Sequence, residues 1–405
     1  MSVNFNKQMS VVSVLFLGIG NPTPTFIRNR IIQLDKKGQL KAIVLVPRES
    51  RNEFPLDNGL TLPQLPVKFS FRQTIFSLLW FSIRFPVSTV RLWHSVALYR
   101  MQVRIRIFIK YHSLVRVQKI NIVHFQWIVS SDEIKWARGF FKAPVIISAR
   151  GSQLTVYPAT ESGYEDKIRK SLLSVDYIHA VSQSMAEACI RFGADPDKIF
   201  VNYNGIDIEK FNTSSIKEIT DDTLHLISTG TLMWRKGYLW QLFLIRALKE
   251  TGMKVNLKII GDGPDRQGLQ YTIIRLGLQD AVTLDGHKTP DEVIKSLQLS
   301  DIYISTSAAE GLSNAVLESI ACGLPAIAFD CEGMNEVIKE GNNGFIVPFG
   351  DLEAMTEKVR IMNNDRKLLA SMGLKSAKMA AEKFDYRMHI QNMIDFYRSV
   401  SLKHE

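Results

Sequence analysis

The chain alternates short apolar runs with longer segments in which apolar residues recur every three or four positions. Six runs rich in β-branched residues come first: Val11–Leu17, Leu40–Val46, Asn121–Phe125, Val145–Ser148, Tyr177–Val181 and Ile199–Tyr203. Runs this short and this uniformly apolar predict strands buried on both faces of a parallel sheet. After a polar stretch, Asn212–Thr223, a second series follows: Leu224–Ser228, Val255–Ile260, Val282–Leu284, Ile302–Ser305, Ala326–Phe329 and Gly344–Val347. Helical periodicity lies between them, as in Gly237–Glu250, Asp265–Leu276, Pro290–Leu297 and Leu312–Ala321, most of them followed by glycine, which ends helices at little cost. Two long polar-patterned helices, Asp365–Phe384 and Arg387–Leu402, close the chain. The pattern predicts an α/β protein with two similar doubly wound sheets, one after the other.

Length agrees, since 405 residues at roughly 150 per domain favour two large domains. Hydrophobic residues make up 46% and charged residues 22% of the chain, which excludes disordered and collagen-like classes. Cys189, Cys322 and Cys331 are widely spaced, without the pairing or clustering that zinc needs, and imply a reducing compartment and no structural metal. Val11–Ile19 falls far short of the roughly 20 apolar residues that span a bilayer, and no small-residue cleavage site follows it. It reads as a first strand, not a signal peptide.

Charge changes the picture in one region. The formal net charge is +10, and ten basic residues, Lys68, Arg72, Arg84, Arg91, Arg100, Arg104, Arg106, Lys110, Arg116 and Lys119, lie between Asn58 and Ser131, where there is no Asp or Glu. Within Arg91–Lys119, Val96, Tyr99, Val103 and Ile107 recur at helical spacing with Arg100 and Arg104 beside them, which predicts an amphipathic helix. With Phe76, Trp80, Phe81, Phe85 and Trp93 upstream, this stripe suits either core packing or peripheral docking on an anionic membrane. No nucleic-acid-binding motif accompanies it, and nucleic acid is not an expected partner.

Two segments carry candidate chemistry. In Ala308–Pro325 a strand leads through a loop to a helix start, which aims unpaired N–H groups at an anion, and Gly311 permits close approach. Glu310 and Glu318 flank that helix start at about 12 Å along a helical axis, too far apart for one glycosidase-type acid/base pair and suited to two grips on an elongated ligand. In Ser228–Tyr238 a strand ends at Gly230, and Arg235 and Lys236 precede the next helix, where two cations can neutralise a diphosphate.

In order along the chain stand NGIDIEKF at Asn204–Phe211, G-x4-RKG at Gly230–Gly237, IIGDGP at Ile259–Pro264, SDIYIST at Ser300–Thr306, E-x7-E at Glu310–Glu318 and ACGLPAIA at Ala321–Ala328. This ordered set resembles the retaining glycosyltransferases of family 4, the glycosyl transferases of group 1. The resemblance implies the GT-B fold, two Rossmann-like doubly wound domains facing across a deep cleft. It implies an acceptor domain over residues 1–205, a nucleotide-sugar donor domain over 206–385, and a last helix, 386–405, crossing back to the first domain. The implied activity is metal-independent transfer of a sugar from a nucleotide diphosphate sugar, its base unknown and no cofactor needed, with retained anomeric configuration.

By the same resemblance Arg235 and Lys236 bind the diphosphate, Glu310 contacts the donor sugar with the amides of Gly311, Leu312, Ser313 and Asn314, and Glu318 takes the ribose hydroxyls. Gly230 belongs to the same donor loop, and Gly261, Asp262 and Gly263 lie on a turn near the base. In the N-terminal half, Gly18 and Gly20 match the position of the family's glycine loop, or form only a tight connection. His124 stands at the first of two family histidines and Gln126 at the second, while Arg150 replaces the histidine of a His-Gly pair. Arg150 at a strand end suits an anionic or polyhydroxylated acceptor.

Arg-Gly variants of this kind resemble enzymes of bacterial surface polysaccharide assembly, exopolysaccharide or lipopolysaccharide. The implied acceptor is a lipid-linked glycan, and the implied place is the cytoplasmic face of the membrane. A nucleotide-sugar epimerase and a non-catalytic membrane-associated scaffold are the alternatives the same motifs leave open.

Overall fold

The apolar runs hydrogen-bond into two wholly parallel sheets in the computed structural model, which describes residues 11–19, 23–63, 79–80, 82–97, 99, 101–117, 119–211 and 222–404. Gly20, Lys68, Arg72, Phe76, Phe81 and Arg100, with the side chains of Val103 and Arg106, lie outside the described residues. The first sheet contains β1 (Val12–Leu17), β2 (Leu40–Val46), β3 (Leu60–Pro63), β4 (Ile122–Phe125), β5 (Val145–Ala149), β6 (Tyr177–Ala180) and β7 (Ile199–Val201), in the order β3-β2-β1-β4-β5-β6-β7. The second contains β8 (Leu224–Thr229), β9 (Val255–Ile260), β10 (Val282–Leu284), β11 (Ile302–Ser305), β12 (Ala326–Phe329) and β13 (Gly344–Val347), in the order β10-β9-β8-β11-β12-β13. Each order reverses once, between β1 and β4 and between β8 and β11, as in doubly wound Rossmann-like folds.

Period-two alternation explains why these strands are apolar throughout. Leu226, Ile259 and Ile304 pack on one face of the second sheet, with Leu242 and Leu248 of the helix Tyr238–Glu250 and Met355 and Val359 of the helix Leu352–Asn364. Their chain neighbours Ile227, Ile260 and Tyr303 pack on the other face, with Val316 and Ile320 of the helix Asn314–Ala321 and Met379 of the helix Arg366–Lys383. Burying one such side chain is worth about 1.5–3 kcal/mol, so neither face tolerates a polar residue without a partner.

The chain divides into two compact units. One runs to Ala180 and adds Ala186–Asn202 and the chain from Ile390 onward; the other comprises Val181–Met185 and Tyr203–His389.

Two expectations need correction. Leu60–Pro63 was not foreseen as a strand, because four residues ending in proline carry almost no pattern; it is tolerated as β3 because proline belongs at a sheet edge. The amphipathic helix expected over Arg91–Lys119 is broken into the helices Pro86–Ser95 and Met101–Tyr111 and a 3-10 turn at His112–Arg116. Val96 and Ile107 of the expected stripe are buried and Tyr99 is half-buried, so these positions pack inward. Different residues of the region are exposed, among them Trp80, Ile83, Val87, Val90, Met101 and Ile105. None of the described helices is long and apolar enough to cross a membrane.

Candidate functional site

Strand order in the second sheet reverses between β8 and β11, and open α/β sheets take ligands at the carboxyl ends of such a pair. Both informative sequence segments lie there. After β8 the chain makes a single 3-10 turn, Trp234–Lys236, before the helix Tyr238–Glu250; after β11 it runs through Thr306–Ser313 into the helix Asn314–Ala321. The two connections are tied together. Ala308 N–H donates to the Arg235 carbonyl at 2.8 Å, and Thr306 Oγ1 donates to the carbonyls of Lys236 and Gly237 at 3.2 and 3.0 Å. Gln241 Nε2 donates to Ser228 Oγ and Thr306 Oγ1, both at 3.0 Å. Gly237 sits at φ +65°, and a Cβ there would lie 2.1 Å from the Thr306 carbonyl oxygen, so the contact requires glycine.

This scaffold holds a charge pair. Lys236 Nζ is 2.5 Å from Glu310 Oε1, with side chains 17% and 8% exposed. The same Oε1 accepts from Ser307 Oγ at 3.0 Å. Glu310 Oε2 makes no hydrogen bond among the described residues, and the ammonium keeps two further donors. Arg235 is half-buried, donates from Nε to Met233 Sδ at 3.3 Å, and pairs with no carboxylate among the described residues. The turn therefore carries one cation in excess.

At the next helix, Ser313 Oγ accepts from Val316 N–H, Asn314 Oδ1 accepts from Asn204 Nδ2 at 3.2 Å, and the Gly311 carbonyl accepts from Ser182 Oγ at 2.6 Å. Leu312 is buried. Glu318, one turn further, is half-buried, and its carboxylate makes no hydrogen bond or ion pair among the described residues. Burial raises its carboxyl to about 7, against the opposing charge of Lys210.

Gly230, Gly261 and Gly263 bring the β8 and β9 connections into backbone contact. Gly230 N–H donates to the Ile260 carbonyl at 2.9 Å, and a Cβ on Gly261 would lie 1.9 Å from the Gly230 carbonyl oxygen. Asp262 is exposed, and its Oδ1 accepts from Gly263 N–H at 2.8 Å. Beside Glu310, the thiol of Cys331 is pushed up by burial and by the Glu310, Glu332 and Asp330 carboxylates, which disfavours the thiolate.

The N-terminal candidates gather at the reversal of the first sheet. Gly18 follows β1 at φ +75°, close to the Gln126 amide, and Gln126 N–H donates to the Leu17 carbonyl at 2.9 Å. His124 is buried with both ring nitrogens engaged: Nδ1 is 2.6 Å from Tyr397 Oη and Nε2 is 2.9 Å from Ser148 Oγ. Ser148 Oγ lies 2.9 Å from His179 Nδ1, and His179 Nε2 lies 2.9 Å from the Asn202 carbonyl. Burial first, then the Arg150 and Arg30 charges, hold both imidazoles well below their usual range, so the chain is neutral. With no free ring nitrogen, His124 organises strands rather than substrate. Arg150 is buried and donates from Nε to the Gln126 carbonyl at 3.0 Å.

Sequence reasoning missed Thr306, Ser307 and Gln241, which hold the Lys236–Glu310 pair, and Ser148, His179 and Tyr397, which hold His124. Ser307 had a readable signal in its position three residues before Glu310, and His179 had one as a polar residue inside an apolar strand. Tyr397 had none.

Residues 209–379 match the family model of glycosyl transferases group 1, and residues 74–210 match that of glycosyltransferase family 4. WcaL of Salmonella typhimurium, a protein named for colanic acid biosynthesis, is 26% identical over 231 residues, 55% of this chain and 57% of its own. AmsK of Erwinia amylovora, an amylovoran biosynthesis glycosyltransferase, is 31% identical over 181 residues, 43% and 44% of the two chains. The matched segment thus spans about half the length of these relatives. Among solved structures, HepE of Anabaena in complex with UDP-glucose superposes with a TM-score of 0.69 at 16% identity, over 96% of this chain and 100% of that one; it shares the fold, GT-B.

Two outcomes test this geometry. Lys236→Met alone should cost about 3–5 kcal/mol in chemical denaturation, because it leaves Glu310 buried without its counter-charge, and adding Glu310→Gln should recover much of the loss; additive losses would show that the pair is not coupled. Glu318 has a folded pKa above its unfolded value, so its contribution to stability is complete below about 4.5 and is lost as pH rises through about 7. Glu318→Gln should therefore melt higher than wild type at pH 8 and alike at pH 4; an unchanged difference across that range counts against the burial argument.

Proposed function

As the chain belongs to the glycosyltransferases of family 4, we propose that it moves a sugar from a nucleoside diphosphate sugar to a glycan acceptor, with retained anomeric configuration and no metal, in bacterial surface polysaccharide biosynthesis. The observation that carries the reading is the meeting of an excess cation, a half-free carboxylate and a helix start at one strand-order reversal. Arg235 and the two remaining donors of Lys236 face the diphosphate, Glu310 Oε2 accepts from the donor sugar, and Glu318 accepts from the ribose hydroxyls. In the step, the bond from the anomeric carbon to the phosphate oxygen breaks, the acceptor oxygen bonds to that carbon on the same face, and the acceptor's proton passes to the leaving phosphate. The cations stabilise charge as it develops on that phosphate, which is where preorganised groups count most. Cys331, with its thiolate disfavoured, takes no part as a nucleophile.

The acceptor in this reading is lipid-linked, and the enzyme works at the cytoplasmic face of the membrane. Supporting this, Trp80, Ile83, Val87, Val90, Met101 and Ile105 are 44% to 79% exposed within a region free of acidic residues. In this reading the contact rests more on apolar surface than on charge. Arg91 donates to the Phe140 carbonyl, Arg104 lies 3.8 Å over the Trp93 ring, and Lys110 pairs with Glu133, so three of the region's cations are engaged within the protein.

A thermal-shift panel of uridine, guanosine, adenosine, cytidine and thymidine nucleotides and their sugars should stabilise the protein with one base, and Arg235→Ala should abolish the response and lower turnover by about 10²–10³-fold. That affinity should fall on acidification below about pH 7, where Glu318 must give up a proton to accept the ribose hydroxyls, and Glu318→Gln should remove the dependence. No response to any nucleotide, or donor consumed without acceptor, defeats the transferase reading. In vesicle sedimentation, replacing Ile83, Val87 and Val90 together by serine should weaken binding to anionic vesicles by about tenfold or more with donor binding intact; equal binding defeats the membrane contact.

A further inference from the structure

The donor chemistry leaves one charge in the first unit without a use. Arg150 is 4% exposed, and its guanidinium carries five N–H donors. Nε reaches the Gln126 carbonyl at 3.0 Å and Nη2 reaches Gln126 Oε1 at 3.4 Å, while Nη1 has no partner. Gln126 is 1% exposed, and its Nε2 likewise has no partner. The rings of Phe26 and Trp127 lie 4.9 and 5.6 Å from the guanidinium carbon, which offsets only part of the cost of burying a full charge.

No carboxylate pairs with Arg150 among the described residues. The charged group that acts on it is another cation, Arg30, from the helix Thr25–Lys36. The neighbouring Tyr397, His124, Ser148 and His179 bring no negative charge, since both imidazoles are held neutral and burial raises the Tyr397 hydroxyl. The free Nη1 of Arg150 and the free amide nitrogen of Gln126 thus converge with no carboxylate among the described residues to balance the arginine, and the charge of Arg30 adds to the positive field there. The place is also the right one for a ligand: Gln126 follows β4, Arg150 follows β5, and Arg30 lies on the helix after β1, at the strand-order reversal of the first sheet. Phe26, Arg30 and Trp127 are half-buried, so the cluster lies just beneath the surface.

We propose that Arg150, Gln126 and Arg30 form a site for an anionic group of the acceptor, a sugar carboxylate or phosphate. That this anion belongs to an acceptor rests on the transferase reading; the demand for an anion does not. An anion with two acceptor oxygens satisfies the geometry as a sugar hydroxyl does not, because it can take the free Nη1 and Nε2 donors together and neutralise the charge.

Calorimetric titration of the full chain at fixed ionic strength, with inorganic phosphate, D-glucuronate and D-glucose as probes, tests this. Phosphate or glucuronate should bind and glucose should not. Arg150→Met should weaken that binding by about tenfold or more while leaving the response to uridine diphosphate unchanged, and should melt no lower than wild type because it removes an unbalanced charge. Arg150→Lys, which keeps the charge without the fork, and Gln126→Leu should each weaken anion binding, and they carry the test if the methionine variant does not fold. Anion binding equal in all variants, or no stronger than that of chloride, overturns the site. Joint loss of the uridine diphosphate and phosphate responses overturns the assignment to the acceptor and gives the anion to the donor. Absence of any nucleotide response with phosphate binding retained counts against the transferase reading and leaves the anion site standing.

Discussion

The pairing of Lys236 with Glu310 constrains most of what surrounds it. Both charges are largely out of water, and neither is stable there alone, so the β8 and β11 connections must be held in register for the pair to exist. Thr306, Ala308 and Gln241 supply that register through hydrogen bonds, and Gly237 supplies the room. A parallel sheet makes the arrangement natural, because all its strands end on one edge and the two that flank the reversal send their helices to opposite faces. The chemistry is then a property of the connections, and the sheet fixes where they meet.

Glu318 obeys the opposite logic. It has no partner among the described residues and is raised to about 7 by burial, so at neutral pH it sits close to its own titration and detracts from stability when ionised. A glutamine would fill the same space without that penalty. A carboxylate that weakens the fold in this way is what the proposed ribose contact calls for, since hydroxyl donors of a ligand would stabilise its ionised form. Lys236 and Glu310 thus hold each other through one oxygen while keeping free donors and a free Oε2, whereas the Glu318 carboxylate has no partner among the described residues.

Local pattern was enough to read the strands that are buried on both faces, since alternation and core burial coincide in them; Leu226 and Ile227 already lie on different sides of one sheet. It failed where neighbours in space decide the outcome. β3 is a strand because β2 offers it an edge, not because LTLP resembles one. Val96 and Ile107 have helical spacing on either side of a turn, and the spacing alone cannot tell one helix from two. The pair of cations at Arg235 and Lys236 was legible from its place before a helix, but the difference between them was not. Lys236 is held by a carboxylate 74 residues away, and Arg235 pairs with no carboxylate among the described residues. His124 was legible as a polar residue in an apolar strand, yet its partners Ser148 and Tyr397 lie 24 and 273 residues away.

The two departures from the family pattern in the N-terminal half are better understood as one. Where the resemblance expects a histidine, the chain has Gln126; where it expects a histidine before glycine, the chain has Arg150. These residues touch: the arginine donates to both the carbonyl and the side-chain oxygen of Gln126. A histidine at 126 would set a second titratable, potentially cationic ring against a buried guanidinium that already feels Arg30, whereas an amide offers an acceptor that never acquires charge. Conversely, a histidine at 150 has no fork with which to reach the carbonyl and side chain of one residue together. Each residue makes the other tolerable, and together they set a buried guanidinium and an amide where the resemblance expects two histidines.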